Sequence, residues 1–175
     1  RLGHESRAFL LSSDFIPTEL FDAYESITNH LLQRIDSAFE NQPAGVRIHG
    51  DCHLGNLLWR YDAPNFVDFY DTQTGPPIQD LWMLLSGDRE DQESILSDLL
   101  EAYSMFCSFD SRTIVLIEPL RTLRMIHHAA WIGRRWNDPA FPLAFPWFNG
   151  IKYWSDHVLS LREQLAILDE PPLSV

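Results

Sequence analysis

The sequence predicts a mainly α domain with a small β patch embedded in it, an α+β fold. Three observations carry that expectation. Apolar residues recur at intervals of three and four over most of the chain, the period of helices with one buried face. Between residues 46 and 69 the pattern changes to short apolar or alternating runs separated by polar turns, the mark of small strands. The chain has 175 residues, 45% hydrophobic and 22% charged. That suits one ordinary domain and excludes disorder and collagen-like structure.

The elements follow in order. Pro17-Thr18 opens a helix, with Thr18 as its N-cap and Leu20, Tyr24, Ile27, Leu31, Ile35 and Ala38 as its stripe. Asn41-Gln42-Pro43-Ala44-Gly45 breaks the chain. Val46 to Ile48, Asn56 to Trp59 and Phe66 to Phe69 read as strands. Ile78 to Ser86 reads as a helix stopped by Gly87, and Ile95, Leu96, Leu99, Leu100, Tyr103 and Phe106 line another. In the segment Ser111 to Trp136, Pro119 must kink or restart the helix, because proline has no N–H for the ladder. The last helix carries the stripe Ile151, Trp154, Val158, Leu161, Leu165 and Leu168. Before it, the aromatic and proline-rich stretch from Asp138 to Gly150 reads as a rigid, packed connector, since its aromatic rings would be costly as open surface.

Charge narrows the function. With 25 acidic and 13 basic residues, the net charge is −12. Such a surface repels phosphate backbones, so no nucleic-acid partner is expected. The longest run free of charged residues, Pro139 to Ile151, is too short to span a bilayer, and no membrane partner is expected. Cys52 and Cys107 make no disulfide framework, which fits the cytoplasm. The cluster Arg121, Arg124, Arg134 and Arg135 reads as pairing with the protein's own acids before it reads as a recognition surface.

The β patch holds the chemistry. Residues 47 to 59 read RIHGDCHLGNLLW, in which His49, Asp51 and Asn56 fit H-x-D-x-x-x-x-N, the catalytic-loop spacing of protein kinases. The pattern arises by chance in about one such chain in fifty. An aspartate there can accept the proton of an attacking hydroxyl, and an asparagine five residues on can offer its amide oxygen to a metal ion on nucleotide phosphates. A hard cation needs a second, anionic oxygen. Asp68, in the run Phe66-Val67-Asp68-Phe69, follows Asn56 by 12 residues, and a hairpin of the two short strands would bring both to one end. A rival metal reading gathers His49, Asp51 and His53 with Cys52 around zinc, as a hydrolase. A third makes the chain a non-catalytic, pseudokinase-like interaction module.

The run HGDCHLGN, with His53 where a eukaryotic protein kinase carries Lys, resembles the aminoglycoside phosphotransferase and choline kinase branch of the kinase fold. FVDF at 66–69, GPPIQDLWMLL at 75–85, LIEPLR at 116–121, RRWNDPAFP at 134–142 and FPW at 145–147 are similar to the bacterial stress response kinase A family, over nearly the whole chain. The resemblance implies an ATP-dependent, cytoplasmic Ser/Thr protein kinase. It implies Asp51 as proton acceptor, Asn56 and Asp68 as Mg²⁺ ligands, Asp68 also as an acid-base residue, and Asp80 as a brace for the catalytic loop. ATP and a protein Ser/Thr substrate are the implied partners, a small hydroxyl-bearing molecule (aminoglycoside, choline or homoserine type) is the nearest alternative, and the full-length form is expected to be a monomer. Asp68 is followed by Phe-Tyr where eukaryotic kinases have Phe-Gly, so their activation-loop switching is not carried over. Asp71 reads as a turn or cap acid, and Cys52 as an inert packed thiol.

Kinase chemistry also needs a glycine-rich cover and a phosphate-binding lysine. The eight glycines contain no G-x-G pair, and the only lysine is Lys152. The fifty residues before Asp51 cannot hold a nucleotide-clamping lobe beside a long helix. The expectation is a C-terminal catalytic lobe over residues 1–175, without the N-terminal lobe that would be its partner, and inactive in isolation.

Overall fold

Why helices dominate is visible in what they bury. In the computed structural model, which describes residues 1–40 and 42–175, the elements are α1 (Leu2–Leu11), α2 (Thr18–Phe39), β1 (Val46–Ile48), β2 (Leu57–Arg60), β3 (Ala63–Phe66), β4 (Gln73–Gly75), α3 (Ile78–Leu81), α4 (Arg89–Ser104), α5 (Ile117–Arg134), α6 (Ala140–Ala144) and α7 (Ile151–Ile167). The chain divides into two compact units, residues 1–39 with 118–170, and residues 40–117 with 171–175. The expected break at residues 41–45 is irregular from Gln42 to Gly45, and Asn41 lies outside the described residues.

The first unit is helical. α2 buries Tyr24, Ile27, Leu31, Leu32 and Ile35, and α7 buries Trp154, Val158 and Leu161, in one apolar cluster with Ile126, Ala129, Ala130 and Ile132 of α5. Each large side chain removed from water there contributes about 1.5–3 kcal/mol. Phe148, fully buried, stacks its ring between Phe15, Trp136, Tyr153 and Trp154 at centroid distances of 5.2 to 5.4 Å. The 138–150 stretch is therefore packed at Phe148, while Trp147 stays 46% exposed. Thr18 is the first helical residue of α2 and not its cap, and the turn opens with the Leu20 N–H donating to the Pro17 carbonyl at 2.9 Å. The segment 111–136 restarts where Pro119 requires it. A 3₁₀ stretch runs from Ser111 to Leu116, and α5 then begins at Ile117, so Pro119 occupies the first turn, where no N–H has an intrahelical partner. Three members of the Arg cluster are engaged within this unit, and one of them pairs with an acid. Arg121 pairs with Glu118 at 3.1 Å, Arg134 donates to the Glu5 carbonyl and lies over the Phe9 ring, and Arg135 lies over Trp131.

The second unit contains two separate antiparallel ribbons, β1 with β4 and β2 with β3. In the β2–β3 hairpin Arg60 faces Ala63 across a two-residue turn, Tyr61-Asp62, with both φ values positive at 53° and 57°. That is the geometry of a tight primed turn, whose twist matches the strands. It sets Trp59 opposite Pro64, a pair that exchanges no ladder hydrogen bonds, so the missing proline N–H costs nothing. Two strand expectations shift in consequence. β2 begins at Leu57, leaving Asn56 in the 3₁₀ turn Leu54–Asn56, and β3 ends at Phe66, because Asp68 takes a left-handed conformation (φ 62°, ψ 64°) and a 3₁₀ turn follows over Phe69–Asp71. The helix expected over 78–86 is α for only four residues, then 3₁₀ over Trp82–Leu84. α4 starts at a reciprocal capping box between Asp88 and Asp91, which satisfies two of its orphan N–H groups. Its N-terminus also holds the last residues: Arg89 donates to the carbonyls of Pro171 and Pro172 at 3.0 and 2.7 Å, and Glu93 accepts the Ser174 N–H.

Candidate active site

The loop after β1 is held from below by one carboxylate. Asp80, in α3, accepts the His49 N–H at 2.6 Å and the Gly50 N–H at 2.9 Å, one on each oxygen. Gln79 beside it donates to the Gly50 carbonyl at 3.0 Å. Gly50 has φ +92°, and a Cβ there would lie 2.2 Å from the Asp71 carbonyl oxygen, so the turn into Asp51 admits only glycine. This is the bracing role expected for Asp80.

The loop is held from the hairpin side by His49. Its Nδ1 faces the Asp51 N–H at 3.4 Å and its Nε2 lies 2.8 Å from the Val67 carbonyl. A nitrogen facing an N–H must offer a lone pair, so Nε2 carries the proton and donates to Val67. The ring sits 4.8 Å from Phe69 and is buried.

Asn56 and Asp68 both stand at the root of the hairpin. The Val67 N–H donates to the Asn56 carbonyl at 3.0 Å, one step beyond the Leu57–Phe66 pair, which brings Asp68 next to Asn56 along the ladder. Asn56 is buried, and its amide Nδ2 donates to the Asp51 carbonyl at 2.9 Å. That bond orients the amide and leaves Oδ1 as its remaining acceptor. The Asp68 carboxylate is exposed and, among the described residues, has no hydrogen-bond or ion-pair partner. One neutral and one anionic oxygen, both hard donors, suit Mg²⁺, which binds through one or two protein groups plus phosphate and water. Asp71 ends the turn after Asp68 and is exposed.

The zinc alternative has no donor set. Among the described residues no group of three or more His, Cys, Asp or Glu side chains is disposed to hold a metal ion. Both nitrogens of His49 are engaged as above, and burial, with Asp80 and Asp51 adding to it, pushes the Cys52 thiol up to about 11. A thiol so raised is a poor ligand and a poor nucleophile at neutral pH. Sequence reasoning did not find the bond of Gln79 to the Gly50 carbonyl, nor the contacts of His53 with Gly55 and Asp51; each depends on the fold of the loop, and no spacing signals it. Around the site the surface is apolar: Leu54, Leu58, Trp59, Phe66, Phe69 and Tyr70 are all exposed, Tyr70 at 91%.

Comparison with known proteins places the chain in a family. Residues 11–114 match the model of the phosphotransferase enzyme family (APH). Over 171 residues, 98% of this chain, it is 44% identical to "Stress response kinase A" of Escherichia coli K12 and 45% identical to "Serine/threonine protein kinase RdoA" of Salmonella typhimurium LT2. The chain covers 52% of each of those proteins, so it spans about half the length of the curated relatives it matches. The braced loop that carries Asp51 and the hairpin root that carries Asn56 and Asp68 lie wholly within the matched segment, and the chain belongs to the phosphotransferase enzyme family.

Proposed function

We propose that this chain is the catalytic half of an ATP-dependent serine/threonine protein kinase of the stress response kinase A type. Asp51 accepts the proton of the attacking hydroxyl. Asn56, through Oδ1, and Asp68, through its carboxylate, hold Mg²⁺, which when bound neutralises charge on the nucleotide phosphates. Asp68 serves also in acid-base exchange. Asp80 and His49 keep the loop and the hairpin root in one arrangement, which matters because phosphoryl transfer depends almost wholly on positioning and electrostatics. The observation that carries the reading is the junction of Asn56 with Val67-Asp68, next to a loop whose two N–H groups are gripped by Asp80. The name of one relative, "Serine/threonine protein kinase RdoA", favours a protein hydroxyl as acceptor.

In the full-length protein the other half supplies the nucleotide clamp, and the molecule acts as a cytoplasmic monomer. Two free cysteines suit a reducing compartment, and no helix among the described residues is long and apolar enough to cross a membrane. The test is Asp51→Asn in the full-length protein. Loss of the base should lower phosphate transfer by about 10²–10⁴ with the fold unchanged. Transfer at the wild-type rate would refute Asp51 as base. Transfer to aminoglycoside, choline or homoserine in preference to protein would replace the protein-kinase reading with a small-molecule one.

A further inference from the structure

His53 sits two residues beyond Asp51, and its ring is held at Nδ1 with Nε2 turned toward the Asp51 carboxylate. Nδ1 accepts the Gly55 N–H at 3.0 Å, which caps the 3₁₀ turn Leu54–Asn56. The ring is laid against Gly55 so closely that a Cβ there would lie 2.7 Å from Cε1 and 2.9 Å from Nδ1. An accepting nitrogen carries no proton, so the neutral ring bears its hydrogen on Nε2. Nε2 lies 3.5 Å from Oδ2 of Asp51, just beyond an N–H···O bond. Hydrogen bonds at active sites are often long in the free protein and tighten when substrate binds.

We propose that His53 is a positioning residue for Asp51. Its Nε2–H draws Oδ2, which fixes the carboxylate rotamer. This rests on the reading of Asp51 as the base. The turn capped by His53 ends at Asn56, so one short 3₁₀ segment sets the side chains of both residues. The ring acts as an uncharged donor of fixed direction, whereas a lysine at this position would bring a mobile point charge.

The contact can be tested on the 175-residue chain without any activity. Long-range ¹H–¹⁵N spectra of the histidine rings should show His53 protonated at Nε2 and bare at Nδ1, and Asp51→Asn should move the Nε2 signal. A ring protonated at Nδ1, or an Nε2 signal indifferent to Asp51→Asn, overturns the proposal while leaving Asp51 free to be the base. In the full-length protein, His53→Leu should lower kcat by roughly 10- to 100-fold with the KM for ATP unchanged, and His53→Gln, which keeps an N–H donor, should recover most of it. An unchanged kcat in His53→Leu, or a raised KM for ATP with kcat intact, also overturns it. If Asp51→Asn retains full transfer, the base reading fails, and the spectra still report separately whether the His53–Asp51 contact exists.

Discussion

Removing the Asp80 carboxylate should unfasten the loop after β1 while leaving the rest of its unit folded. The two bonds to His49 and Gly50, at 2.6 and 2.9 Å, have a charged acceptor, and such bonds each contribute about 1.5–3 kcal/mol. The site is only partly buried, so water replaces some of that, and Asp80→Ala should cost about 2–4 kcal/mol. Asp80→Asn keeps one acceptor oxygen and turns an NH₂ group toward the second N–H, so it should lie nearer to alanine than to wild type. Two measurements check this. Urea unfolding should show the stability loss. Native-state hydrogen exchange should show it at the loop, with protection at the His49 and Gly50 amides falling by about 10- to 10³-fold. If Asp80→Ala exchanges those two amides as slowly as wild type, Asp80 is not what holds the loop.

Gly50→Ala should destabilise by about 2–4 kcal/mol, from the positive φ and the clash with the Asp71 carbonyl; a melting temperature equal to wild type would refute the close approach. In the full-length protein, Asp68→Ala should raise the Mg²⁺ requirement more than Asn56→Ala, since it removes charge as well as an oxygen; Mg²⁺ titrations that overlay wild type would remove both from the metal site. Burial, with His128 adding to it, lowers His157 from 6.5 to about 4, and its Nε2 is buried with no hydrogen-bond partner among the described residues. The unfolded state therefore binds the proton more readily, and stability should fall by about 3 kcal/mol as pH drops from about 6.5 to about 4. His157→Phe should flatten that slope in urea melts, and an unaltered slope would refute it.

Much of this was legible in the chain, and the exceptions have physical causes. The stripes of α2 and α7 announced themselves because their buried positions are large and apolar. α1 gave no signal because two of its three buried residues are Gly3 and Ser6. Gly3 is buried precisely by being small, since a Cβ there would lie 2.6 Å from the Leu123 side chain. β4 reads Gln-Thr-Gly, with no apolar alternation, and exists through its pairing with β1. The spacing of His49, Asp51 and Asn56 and the later Asp68 was readable because it follows a recognisable motif, H-x-D-x-x-x-x-N with an acid after the next strand. The strand ends were not, because they follow from a positive φ at Asp68 and from two positive φ values at a turn without glycine. Asp80 lies about thirty residues from the amides it holds, a distance that only a family resemblance or a structure can bridge.

The β2–β3 hairpin behaves as a cantilever. Its root is clamped, Val67 being held by the Asn56 carbonyl on one side and by the His49 ring on the other, whereas Tyr61 at its tip is 85% exposed. A two-stranded ribbon has little stiffness of its own in water, so bending amplitude grows with distance from the clamp and is smallest where Asn56 and Asp68 reside. Residues added at Tyr61-Asp62 would cost little more than loop-closure entropy, about 0.6 kcal/mol for each doubling of length. The tip is thus where this unit can vary in length and sequence at little expense, because Asn56 and Asp68 answer to the clamp and not to the far end of the beam.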